Sequence, residues 1–377
     1  MFIFKMRRIL QVIFKSSSFL IVFLISLYSP ILKGDKMAGG GYHSLFIKSD
    51  GSLWAMGGND KGQLGDGTDN NRTSPVQIRS SGIVSVAAGE KHSLYIEDNG
   101  SLWGMGWNGH GQLGDGSTTD RNSSVHISSN VIAAAAGYRH SLFIKSDNTL
   151  WVMGRNDYGQ LGDGTTTDSL TPKQVDTTVL SVGAGYYHSL FVKSDGTLWG
   201  MGWGDDGRLG NRRGNQLSAV QIDPSITGVI TADAGFAHSI FLTNTGLLYS
   251  LGKNSFGQLG DGSTTDRNSS YQVSSGVIDI SAGYHHNLYV KNDSSLWGIG
   301  KNHKGQLGDG SIIDRNSSVQ ILTGAIEVAT GDNHSFYETT YIRMFSMGRN
   351  FSGQLGLGTT SDTSTPTEFK ASDLNQA

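Results

Sequence analysis

The chain contains no cysteine. Disulfide frameworks, thiolate zinc sites, iron–sulfur ligation and cysteine nucleophiles are therefore excluded. Its 377 residues include only 5 prolines, and charged residues make up 16%. With 37% hydrophobic residues, that low charge argues against wholesale disorder. Enzyme signatures are missing as well. There is no G-x-S-x-G, no H-E-x-x-H, no P-loop and no acid pair set apart from the rest of the pattern. Glycine is the one residue in excess, at 53. It shows no strict three-residue period, which rules out collagen.

Long apolar runs are also missing. The longest, Phe19 to Leu27, is shorter than the roughly 18–20 residues of a membrane span. It follows Lys5, Arg7, Arg8 and Lys15, and the first 33 residues carry no acid. A basic segment followed by a short apolar one is the order of a secretory signal. No A-x-A cleavage site is visible. Three readings stay open: a cleaved signal, an uncleaved signal-anchor, and Met37 as the true start. The first two make the protein secreted or envelope-bound, the third cytoplasmic. Residues 34–377 then carry 24 basic and 32 acidic side chains, a net charge of −8. That argues against nucleic acid as the main partner.

Internal repetition organises everything after the leader. The tetrapeptide G-Q-L-G, once G-R-L-G, begins at Gly62, Gly111, Gly159, Gly207, Gly257, Gly305 and Gly353. A G-x-x-H motif places His43, His92, His140, His188, His238, His286 and His334 in the same register. Eleven residues after each histidine stands an aromatic ring: Trp54, Trp103, Trp151, Trp199, Tyr249, Trp297 and Phe345. Each unit reads as four short strands bounded by Asp-Gly and Asn-Gly turns. In the second unit these are Ser85–Gly89, Ser93–Ile96, Ser101–Gly106 and Ser124–Ile127. Four strands in a 48–50-residue repeat make a β-propeller blade. Small residues such as Ala87-Ala88-Gly89 suit the innermost strand, where the blades converge. The expected fold is all-β, a seven-bladed propeller over 34–370, with a leader at 1–33 and a tail at 371–377.

Closure of the ring needs a seventh inner strand. Six end at Gly89, Gly137, Gly185, Gly235, Gly283 and Gly331. The stub Lys36–Gly40 has the same small character, so the N-terminal strand is expected to close the ring by joining the blade that the C-terminus finishes. Closure of this kind removes an exposed sheet edge, and a monomer is expected.

The units resemble the regulator of chromosome condensation repeat, most plainly in His43–Thr68 (HSLFIKSDGSLWAMGGNDKGQLGDGT). The resemblance covers residues 37–370. It implies the propeller fold strongly and function weakly, because propellers host unrelated activities. The family includes a nuclear exchange factor for a small GTPase that also binds nucleosomes, a plant ultraviolet receptor, and a secreted bacterial inhibitor of β-lactamases. This chain departs from the exchange factor. Its repeats differ by at most two residues in length, leaving no inserted wedge, and an apolar leader replaces the basic nuclear tail. The leader brings it nearer to the secreted bacterial type. The tryptophans, one per blade, read as packing rather than as a light-sensing cluster.

What recurs seven times serves the blade, and what differs between blades is where a partner is read. The repeated histidines suggest either a metal ring or, the preferred reading, imidazoles bridging backbone groups of neighbouring strands. The repeated aspartates (Asp66, Asp115, Asp163, Asp261, Asp309) lack calcium-loop spacing and read as turns. No metal and no cofactor is expected. Strand order puts the G-x-x-H loops and the loops before G-Q-L-G on one face. The candidate partner-binding residues there are Trp107, Tyr138, Arg139, Tyr158, Tyr186, Tyr187, Trp203, Phe236, Phe256, Tyr284 and His285. Arg208, Arg212 and Arg213 of the divergent fourth repeat join them as a grip for carboxylate or phosphate. Aromatic rings and arginine are enriched in interface hot spots. The expected function is a non-catalytic, protein-binding scaffold. Its alternatives are an exchange-factor-like regulator of a small GTPase and a glycan-binding surface protein.

Overall fold

The computed structural model describes residues 36–210 and 214–369. The expected leader at 1–33 and tail at 371–377 lie outside them. Seven four-stranded antiparallel sheets follow one another along the chain, at 37–79, 83–128, 131–176, 179–221, 229–274, 277–323 and 325–368. These blades, numbered 1 to 7, are arranged as a seven-bladed β-propeller, as expected. Within each blade the strands lie in sequence order from the axis outward. Two details differ from the reading of the sequence. The outer strands are longer, Arg121–Ser128 in blade 2 against the expected Ser124–Ile127, because pairing with the tryptophan strand reaches Gly106, opposite Arg121. The N-terminal strand Met37–Gly39 does supply the missing inner strand, but it pairs with His43–Ile47 of its own repeat. The last blade has its own inner strand, Ala325–Thr330. Each blade is one continuous segment, and the ring closes by side-to-side packing.

The core is divided among the seven interfaces between blades. Leu45, Leu53 and Leu64 of blade 1 pack on Val86, Tyr95 and Met105 of blade 2. At the closure Met37, Phe46 and Met56 meet Ala329, Phe336 and Phe369. The repeated aromatic of the third strand stacks on an aromatic of the second in every blade, as in Phe143–Trp151 at 6.2 Å and 6°. This bears out the packing reading of the tryptophans.

A polar belt joins the blades above this core. Each repeat histidine is fully buried, and its Nε2 lies 2.7–3.0 Å from a side chain of the next blade. The partners are Ser93, Ser141, Ser189, Ser239, Asn287, Ser335 and, closing the circle, Ser44. Each of these side chains donates in turn to a backbone carbonyl of the preceding blade, at 2.7–2.9 Å. A serine hydroxyl has one proton and gives it to that carbonyl. Nε2 must therefore carry the hydrogen, and each imidazole is the neutral Nε2–H tautomer. Asn287 fills both roles with its two amide atoms. The histidines thus bridge blades, through a side chain rather than directly through backbone.

The belt explains seven glycines. A Cβ on Gly137 would lie 2.5 Å from the Gly185 carbonyl oxygen and closer still to the ring of His140. Gly40, Gly89, Gly185, Gly235, Gly283 and Gly331 are placed alike, each against the next blade's glycine carbonyl. Gly137→Ala is expected to cost several kcal/mol, on the order of 3, because backbone must move. Gly164→Ala, at φ +81° with nothing within 4 Å, should cost only about 1 kcal/mol. Urea unfolding of both variants checks the pair; equal losses would overturn the account of the neck.

Burial also fixes the response to acid. It lowers His43 and His238 to about 4, His92, His140, His286 and His334 to about 3, and His188 well below its ordinary range. Unfolded histidine titrates near 6.5. Between pH 6.5 and 4 the unfolded chain therefore binds more protons, and stability falls as pH falls, by about 1.4 kcal/mol per histidine per pH unit at most. Burial raises the carboxyls of Asp233 to about 6 and Asp332 to about 7 and raises that of Glu90 as well, which acts in the opposite direction but on fewer groups. The melting temperature should drop steeply from pH 7 to pH 5. An unchanged value would contradict the buried neutral belt.

Candidate partner-binding face

The G-x-x-H loop leaves the inner strand at the neck, and the loop before G-Q-L-G returns to the same end of the blade. The two loop sets therefore meet. The first variable position of G-x-x-H, taken blade by blade, is Gly41, Glu90, Tyr138, Tyr186, Phe236, Tyr284 and Asp332. These residues ring the mouth of the axial channel. Tyr138 stacks on Tyr186 at 4.3 Å, while Tyr284 meets Tyr186 edge-on at 4.7 Å and Phe236 at 4.6 Å. Outside them Tyr187 contacts Tyr158 at 5.0 Å and Trp203 at 5.6 Å, and Tyr158 stacks on Trp203 at 5.3 Å. His285 joins Phe236 to Phe256 at 5.4 and 4.7 Å. Trp107 is tied in through Arg139, whose guanidinium lies 4.5 Å from both the Trp107 and the Tyr138 rings. The eleven residues from the two loop sets thus form one tract across blades 2 to 6. His285 is 8% exposed and burial lowers it to about 3, so it is a neutral ring within the tract and presents little surface.

The arginine grip is corrected. Arg208 is fully buried. Its guanidinium donates to the carbonyls of Asp205 (3.0 Å) and Phe236 (3.2 Å) and to the Asp206 carboxylate (2.8 Å), and it lies 4.3 Å over Trp203. Those bonds brace the loop of a blade that has Arg where six others have Gln. They leave nothing for a partner. Arg212 and Arg213 lie outside the described residues. The repeated aspartates sit in turns: Asp115 accepts from Ser117 and pairs with Arg121 at 2.6 Å. Among the described residues no group of three or more His, Asp or Glu is arranged to hold a metal ion.

Two residues passed over in favour of rings and arginines belong to this face. Asp332 accepts a 2.6 Å hydrogen bond from the Tyr186 hydroxyl, which reaches across the channel mouth from blade 4 to blade 7. Burial, reinforced by the Glu90 charge, raises the Asp332 carboxyl. Glu90 lies 3.4 Å from the Arg139 guanidinium, and burial raises its carboxyl too. The signal was present in the sequence: three consecutive blades, 7, 1 and 2, break the aromatic run at the first variable position.

Residues 121–377 match the RCC1-like domain model, and residues 50–96 match the regulator of chromosome condensation (RCC1) repeat. A second model of that repeat matches 35–63 and 83–112. The chain belongs to the RCC1-like family. A 50-residue stretch is 48% identical to the X-linked retinitis pigmentosa GTPase regulator homolog of Caenorhabditis elegans, covering 13% of this chain and 4% of that protein. Human WBSCR16 is similar in structure, with a TM-score of 0.73 and 22% identity over 82% of this chain and 87% of that one. So is the RCC1 protein Prp20 of Saccharomyces cerevisiae, at 0.77 and 22% over 86% and 87%. It was studied for binding to Gsp1p and histones, and a second Prp20 structure has Kap60 bound. At these identities the structural likeness speaks for the fold alone.

For Arg208 the expected result is asymmetric. Arg208→Ala removes the closer of the two cations on the Asp206 carboxylate, Lys253 at 3.7 Å remaining, and the donor to the Phe236 carbonyl, and should destabilise by about 3 kcal/mol. Arg208→Gln, the residue of the other six repeats, should cost less than half of that. Guanidinium unfolding decides; full stability of Arg208→Ala would restore the reading of a spare surface cation.

Proposed function

We propose that this RCC1-like propeller is a non-catalytic scaffold that binds a partner protein through the aromatic face of blades 2 to 6. The observation that carries the reading is the continuity of the tract, in which half-buried Trp107, Tyr138, Tyr158 and Tyr187 on loops lie together with Trp203 at a strand end, outside the core. Rigid aromatic rings present large contact area at low entropic cost, which is the chemistry of a binding hot spot. The order of basic and apolar residues in 1–33 supports a secreted or envelope location.

A second reading has support of its own. The short match is to a protein named as a GTPase regulator homolog, and Prp20 was studied with Gsp1p. An exchange-factor-like action on a small GTPase would use the same face. Against it stands the uniformity of the blades, none of which carries an insertion between its strands. Trp107→Ala and Tyr158→Ala are expected to lose most partner capture in a pull-down from the native host while melting as the parent does. Tyr341→Ala, on a hairpin at the opposite end of the strands, should capture normally. Undiminished capture by the face variants would refute the proposal. Accelerated release of labelled GDP from a host GTPase would select the second reading.

A further inference from the structure

The mouth of the channel is chemically lopsided. On one side stand the rings of Tyr138, Tyr186 and Tyr284; on the other, the carboxyl groups of Asp332 and Glu90 flank Gly41. With no side chain of its own, Gly41 leaves the space between them open. A Cβ there would lie 2.7 Å from the Glu90 carbonyl and 3.5 Å from Asp332 Oδ2. A small cavity of about 60 Å³ remains at this point. Among the described residues no cation forms an ion pair with Asp332, and its bonded partner is a neutral hydroxyl. Arg349 acts on Asp332 only through its field, and Glu90 holds Arg139 at 3.4 Å, so Asp332 is the carboxylate without an ion-pair partner. A half-buried carboxylate so placed is costly, and a cation that arrives with its own apolar stem relieves that cost. Aromatic faces beside carboxylates are the surroundings in which ammonium groups are held.

We propose that the mouth receives one lysine side chain of the partner protein, its ammonium between Asp332 and Glu90 and its methylene stem along Tyr138, Tyr186 and Tyr284. The inference rests on the protein-binding reading of this face and specifies its partner's chemistry. Lysine suits the site better than arginine. The opening is axial, Asp332 Oδ2 is engaged by Tyr186 and Glu90 Oε2 by Arg139, so neither carboxylate offers both oxygens to a two-pronged guanidinium. The Tyr186 hydroxyl occupies the position that an ammonium N–H would take, so ligand and hydroxyl compete for one oxygen.

The test needs no partner. The full chain, labelled with 13C-tyrosine, is titrated with Nα-acetyl-lysine amide and followed by NMR. Saturable shifts of Tyr138, Tyr186 and Tyr284 are expected, with none from the norleucine or arginine analogues at equal concentration. Asp332→Asn combined with Glu90→Gln should abolish the shifts while the melting temperature holds, because asparagine still accepts the Tyr186 bond. Tyr186→Phe removes the competing donor and should tighten binding about fivefold. An equal response to norleucine or arginine, no response to lysine, or shifts that persist in the double variant would overturn the proposal. If capture of the partner depends on Trp107 and Tyr158 but the titration is silent, the lysine site alone fails. Capture that ignores the face variants instead removes the protein-binding reading.

Discussion

Every blade is held to the next by a buried clamp in which His Nε2–H donates to a serine hydroxyl, or once to the Asn287 amide oxygen, and that side chain donates to a backbone carbonyl. Each serine is gripped by two groups of the preceding blade, so a blade cannot rotate or slip without breaking both bonds in a site where water does not replace them. The clamp works only with a neutral ring in one tautomer, and full burial enforces both. Its geometry also fills the space where the neck residues would carry side chains. Glycine at those positions is therefore a consequence of the clamp, and the excess of glycine that marks this composition follows in part from seven histidines.

A ring tied at the neck and packed between blades needs no contribution from its loop tips. The residues there are free to differ, and on one face they do so in an ordered way. Blades 2 to 6 contribute rings, while blades 7, 1 and 2 contribute a carboxylate, a glycine and a carboxylate at the matching position. Sevenfold structure thereby carries a surface without sevenfold symmetry. The Tyr186–Asp332 bond expresses this most directly, since it joins blades on opposite sides of the axis and has no counterpart between any other two among the described residues.

Much of this was legible in the residues and some was not, for definite reasons. Strand type, blade number and the shared face follow from local spacing, which a sequence displays. The histidines were visible, but their partners stand about fifty residues away, one repeat on, and the sequence offers each imidazole many equally spaced hydroxyls. The N-terminal strand was rightly taken as the missing inner strand, yet its blade was misjudged because a strand count does not reveal which neighbour it pairs with. Arg208 looks solvated among glycines and aspartates, whereas in the fold it lies against the Trp203 ring and bonds the Phe236 carbonyl of the next blade. Asp332 and Tyr186 are 146 residues apart, and nothing in either local pattern links them.

Arg208 also shows where function can reside in such a scaffold. Ser239 donates to the Arg208 carbonyl at 2.8 Å, as its counterparts do to the carbonyls of glutamine. The clamp reads the backbone at that position and not the side chain, so the fourth repeat changes residue there without loosening the ring. The same holds at the first variable position of G-x-x-H, where the backbone follows the neck whether the side chain is glycine, tyrosine or aspartate. Positions whose backbone is fixed and whose side chain the scaffold does not use are those at which chemistry is added at least structural cost. In this chain they converge on the mouth of the axial channel, and the aromatic rings and carboxylates gathered there are what a partner meets.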